Sequence, residues 1–135
     1  MKILAEYPPN YSEIKRVFNK CEEFKPVFAY GDAIYNPFEQ RIPDDLIVHD
    51  QVHLDRQKAY TSPHIWWTMY LSDKGFRLEE ELLAYTRQLE FVKIHIPKAY
   101  KEALDEFSNN LSSIYNLDIT RSQAETLIRL KLKQL

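Results

Sequence analysis

The chain has 135 residues, the length of one ordinary domain, with 44% hydrophobic and 28% charged residues and a formal net charge of −2. Charges interrupt every apolar stretch well short of the ~18 residues that a bilayer crossing needs, and this charge balance gives no global basic field for nucleic acid. A lone Cys21 excludes an internal disulfide and multi-cysteine zinc knuckles, and two widely separated glycines, Gly31 and Gly75, cannot write a GxGxxG or GxxxxGKS/T phosphate loop. The opening stretch meets Glu6, Pro8 and Pro9 too early to supply the apolar segment of a secretory signal. The expectation is one cytoplasmic domain over residues 1–135, with neither a membrane nor nucleic acid as partner.

In chain order, Ser12 can cap a first helix carrying Ile14, Val17, Phe18 and Cys21 at helical spacing. The period then changes. Residues 26–30 and 33–37 are rich in β-branched and aromatic side chains around Gly31-Asp32, a hairpin signal with glycine first. Pro43 followed by Asp44 and Asp45 marks a helix start, and the helix should run to about Lys58 or Tyr60. Ser62-Pro63 opens another through Tyr70, broken near Gly75. Residues 76 to about 95 form the strongest helix, with Leu78, Leu82, Tyr85, Leu89 and Val92 on one stripe. Pro97 resets the chain into a helical tail, about 97–135, containing Leu104 and Phe107. Its last helix starts at Thr120, where Gln123 fits a capping box. The pattern is α+β, mostly helical, with one small β element.

The helix from Pro43 carries the chemistry. His49 and His53 stand four residues apart, one turn plus about 40°, so both imidazoles leave the same face, with Asp50 inside a sector about 100° wide. Ile47, Val48, Val52 and Leu54 make the rest of the helix apolar, so its polar groups need partners. A metal is one such partner, since two neutral imidazoles and a third protein ligand make a zinc site with an open position. Packed core or surface histidines are the bland alternative. The third ligand should come from a facing helix, and among Glu79, Glu80 and Glu81 only Glu81 falls within about 50° of the apolar stripe. Glu79 falls over about 100° away and Glu80 nearly opposite, both on a solvated face.

His49-Asp50-Gln51-Val52-His53 followed by Glu81-Leu82-Leu83-Ala84-Tyr85 resembles the gluzincin arrangement of zinc metallopeptidases, HExxH on one helix and an ExxAD or ExxAY glutamate on a later one. The order of Phe28 to Pro37, Leu46 to His53, Trp66-Trp67 with Tyr70 to Asp73, Phe76-Arg77 and Glu81 to Tyr85 is similar to small tailed-phage proteins of metallopeptidase type, and Leu111 to Asn116 with Ala124 and Ile128 fits their tail. The resemblance covers roughly residues 26 to 130. It implies a minimal zincin-like domain, zinc on His49, His53 and Glu81, a peptide or protein substrate, and the host cytoplasm as compartment. The chain departs from the pattern at the general base, where Asp50 replaces glutamate. Its carboxylate is withdrawn by about 1.5 Å, a misplacement that can cost about a hundredfold.

Tyr85 is a candidate to steady an oxyanion or simply a core tyrosine, and His64 is a spare ligand. Strand 33–36 or 27–30 is a candidate edge for an extended peptide, or the hairpin is purely structural. Two rivals stand beside the peptidase: a non-catalytic zinc-binding phage structural protein, and a ribbon–helix–helix DNA-binding pattern built on Phe91 to Pro97 as a strand with the helices that follow.

Overall fold

The computed structural model describes all 135 residues. It is an α+β fold of six helices and one three-stranded sheet. Strand β1 (Lys2–Leu4) precedes α1 (Tyr11–Val17) and a 3-10 turn, Cys21–Phe24, the first of two, the other being Pro97–Ala99. The hairpin β2 (Phe28–Tyr30) and β3 (Ala33–Tyr35) leads to α2 (Asp44–Gln57), α3 (Pro63–Ser72), α4 (Lys74–His95), α5 (Tyr100–Ser113) and α6 (Arg121–Lys133). No helix is long and apolar enough to cross a membrane.

The sheet order is β1-β3-β2, with β1 parallel and β2 antiparallel to β3. The N-terminal strand is absent from the sequence reading, because its partner lies some thirty residues on and three residues, two exposed and one half-buried, carry no period. The hairpin turn is as expected: Gly31 sits at φ 68° while Asp32 does not take a positive φ, a two-residue turn with the glycine first. Gly31→Ala meets only ordinary contact, 3.5 Å from Pro63 Cγ. The cost is therefore conformational, and thermal denaturation should show a loss of about 1 kcal/mol.

Helix ends follow local chemistry with two corrections. The capping box at Thr120 and Gln123 is present. The break before the long helix falls at Asp73, whose side chain accepts from the Phe76 N–H, and Gly75 lies inside the first turn of α4. The first helix is capped at Asn10 rather than Ser12 and ends at Val17, so Cys21 lies in the 3-10 turn beyond it. Residues 91–95 are the last turn of α4, so the strand that a ribbon–helix–helix pattern needs there does not exist.

Two cores result. Leu82, Leu89, Leu104, Phe107, Leu111 and Ile128 join α4, α5 and α6. An aromatic core of Ile14, Phe28, Trp66, Trp67 and Tyr70 joins α1, β2 and α3. Helix α2 lies against both β2 and α4, and its seam with α4 is where the polar side chains collect.

Arg77 ties this frame together. It is buried, its guanidinium donates to the carbonyls of Tyr70 at 2.6 Å, Tyr115 at 2.8 Å and Asn116 at 3.2 Å, and it lies over the Phe18 and Tyr70 rings. A fixed fork of donors suits this task, because three backbone carbonyls from two segments can be met at once.

Candidate metal centre

His49, His53 and Gln57 follow one another at intervals of four along α2 and all are buried. Facing them, α4 presents Glu81 and, two turns on, Gln88, also buried. His49 Nε2 lies 3.1 Å from Glu81 Oε1, and His53 Nε2 lies 3.2 Å from Glu81 Oε2. Both imidazoles thus turn the same nitrogen toward one carboxylate.

The tautomer of His49 follows from its neighbours. Gln88 Nε2 donates to the Asp45 carboxylate at 2.8 Å, so Gln88 Oε1 is left as an acceptor, 2.9 Å from His49 Nδ1. His49 Nδ1 therefore carries a proton. In a neutral ring Nε2 then has only its lone pair, and that lone pair faces a carboxylate oxygen. A proton or a metal ion between them removes the repulsion. His53 adds an Nδ1 without a partner. Its ring packs against Trp66 with centroids 5.4 Å apart.

Asp50 stands beside this pair, buried, with Oδ2 unpartnered. Ligand atoms of His49, Asp50 and His53 all lie within 4.8 Å of one another, so this buried group could hold a metal ion. Burial pushes the Asp50 carboxyl up to about 7, His49 pulling it down and Glu81 adding to the rise. Burial would also raise Glu81, but the His53 and His49 imidazoles outweigh it and hold that carboxyl well below the usual range. Tyr70, which burial and Glu81 keep in its neutral form, donates to Glu81 Oε2 at 2.5 Å.

Glu80 corrects the sequence reading. It is 1% exposed rather than solvated. Trp66 Nε1 donates to its Oε1 at 2.7 Å, and Arg56 from α2 clamps both of its oxygens at 3.0–3.2 Å. Adjacent glutamates thus enter two separate polar clusters, Glu80 toward α3 and Arg56, Glu81 toward the histidines. Glu79 is the exposed member, paired with Lys131.

Tyr85 lies behind His49, with ring centroids 4.4 Å apart, and its hydroxyl meets that of Tyr115 at 2.7 Å. It is Tyr115, from the turn after α5, that lines the cavity beside the histidines. His64 lies outside both the metal group and the cavity lining. That cavity, about 310 Å³, is lined by the buried His49, Asp50, His53 and Glu81 and, toward the surface, by residues 18–21, 23, 24 and 113–116. Gln57, Tyr70, Gln88 and Tyr115 join the site beyond the ligands and base that the sequence motif names. Gln57 and Gln88 were signalled by their phase, as polar residues four after His53 and seven after Glu81.

The hairpin offers less edge than the sequence suggests. Strand β3 is the middle strand, paired on both sides, so 33–36 is not a free edge. In β2 the Ala29 carbonyl accepts from both Gln57 Nε2 and Trp67 Nε1 at 2.9 Å, and the Gly31 N–H donates to Gln57 Oε1 at 2.8 Å. No protein-family model, curated protein or solved structure matches the chain.

Proposed function

We propose that this chain is a zinc-dependent peptidase on a minimal zincin-like frame, with His49, His53 and Glu81 as the metal ligands and Asp50 as the general base. The observation that carries the reading is the convergence of the two Nε2 atoms on one carboxylate, at 3.1 and 3.2 Å. Tetrahedral zinc ligands, each about 2.0–2.1 Å from the ion, stand about 3.3 Å from one another, so this spacing fits the ion. Two imidazoles and a carboxylate are also the donor set of hydrolytic zinc sites, which leave one position open.

Zinc bound there would lower the pKa of a water and polarise a scissile carbonyl. The chain's own residues do the rest. Gln88 fixes the His49 ring through Nδ1, and Tyr70 holds one oxygen of Glu81. Such outer partners set ligand orientation and are worth about 10–100-fold in metal affinity. Asp50 Oδ2, buried and unpartnered at the cavity, receives the proton of the attacking water. The aromatic walls limit competing water, and Tyr85 supports His49 from behind.

A binding-only centre is the second reading, favoured by the closeness of Asp50 to both imidazoles, which lets it serve as a ligand itself. One experiment separates the two: a broad peptide library offered to zinc-loaded wild type, Asp50→Asn and Asp50→Glu. The peptidase reading expects Asp50→Asn to keep its zinc and lose hydrolysis by at least about a hundredfold. Turnover that survives in Asp50→Asn removes the general base. Loss of zinc in Asp50→Asn, with no turnover by wild type, makes Asp50 a ligand of a binding site.

A further inference from the structure

The sheet and the cavity together restrict what the site can take. A substrate laid along a sheet needs a run of free edge peptides. Strand β2 has three residues, and Gln57 and Trp67 occupy its middle carbonyl while Gln57 also takes the next outward N–H. The Gln57 amide, which is 2% exposed, satisfies the carbonyl of residue 29 and the N–H of residue 31 as a neighbouring strand would. The remaining edge, β1, is separated from β2 by the whole of β3. The side of the sheet nearest the histidines is closed by the protein's own side chains.

What remains open is the cavity. At about 310 Å³ it lies at the lower limit of ligand pockets. Its walls are apolar, with Phe18, Val27, Phe28, Trp67 and Ile114 between the mouth and the histidines. The mouth is mixed, with exposed Asn19, Lys20, Glu23 and Asn116 beside an exposed Phe24, and the Asn116 side chain donates to the Val17 carbonyl at 3.0 Å, bridging the two rims. A pocket of this kind admits one apolar group with a polar head, inserted from the end.

We propose that the substrate is a short acylated amide, no longer than about a dipeptide, bearing one apolar group of aromatic size, which enters the cavity end-on and does not add to the sheet as a strand. This rests on the hydrolase reading above and names its substrate class. Water adds across the amide: the C–N bond breaks, the carbonyl carbon takes the hydroxyl, and the amine leaves with the proton passed through Asp50.

The test compares a blocked aromatic dipeptide amide with a long extended peptide holding the same bond at its centre, both offered to zinc-loaded protein. The short substrate should be cleaved with kcat/KM at least about tenfold higher. In parallel, titration with N-acetylphenylalaninamide should shift the tryptophan emission saturably, through Trp66 and Trp67 in the cavity wall. Val27→Phe, which fills the wall, should weaken that binding at least about tenfold at unchanged zinc content. Equal or better cleavage of the long peptide overturns the proposal, as does the lack of a saturable emission change in zinc-loaded protein, and both leave the metal site standing. Binding sensitive to Val27→Phe without turnover of either substrate supports the ligand class and removes the hydrolase reading. Protein that takes up no zinc overturns both.

Discussion

Protein purified without a histidine tag should carry about one zinc per chain by elemental analysis, and His53→Ala less than about a tenth of that. The size of the effect follows from the geometry. His53 supplies one of only two imidazole nitrogens facing Glu81, and the side chain left within reach, Asp50, offers a carboxylate in place of an imidazole. Glu81→Gln should weaken zinc by at least about tenfold, because the amide offers one poorer donor oxygen in place of a carboxylate that meets both rings. Gln88→Leu should act in the same direction by a smaller factor, since it frees His49 Nδ1 without removing a ligand. Equal, negligible zinc in wild type and His53→Ala would reduce the histidine pair to a hydrogen-bonded cluster of the core.

The second large effect is on stability and concerns the neighbouring glutamate. Arg56→Ala should lower stability by about 2–3 kcal/mol, or about 10 °C in Tm, while leaving zinc content unchanged. The reason is the asymmetry of the pair. The Arg56 side chain is 46% exposed and recovers water when released, whereas that of Glu80 is 1% exposed and would keep only Trp66 as a donor. Glu80→Gln should cost less, about 1 kcal/mol, because the amide still accepts from Trp66 Nε1. Thermal melts read against zinc content separate the two glutamates: Glu81 governs the metal, Glu80 the fold. A zinc loss in Glu80→Gln as large as that in Glu81→Gln would show that the two clusters act as one.

These two residues mark how far the sequence could be read. Phase along the α4 stripe was enough to turn Glu81 toward α2, because a helix keeps its angular bookkeeping over many turns. The same phase put Glu80 on the far side, and that angle is correct. It was the inference from angle to solvent that failed, since α3 and the Arg56 side chain cover that side too. Local signals located the hairpin glycine, the capping box at Thr120 and the shared face of His49 and His53, each of them decided within a few residues. Strand β1 and the Tyr85–Tyr115 hydroxyl pair depend on partners about thirty residues away, and no local period announces them. The same holds for the edge of β2, whose closure requires Gln57 and Trp67 to arrive from two different helices.

That closure also fixes the hairpin's place along the chain. One backbone oxygen, that of Ala29, is held by side chains from α2 and α3 together. A peptide oxygen cannot be mutated away, so substitutions at position 29 that fit the space leave the anchor intact. A single-residue insertion or deletion between Pro26 and Gly31 does not. It would turn the oxygen at that point to the opposite side of the strand, exchange every inward side chain of β2 for an outward one, and release both helices at once. Within this hairpin, length is held more tightly than composition.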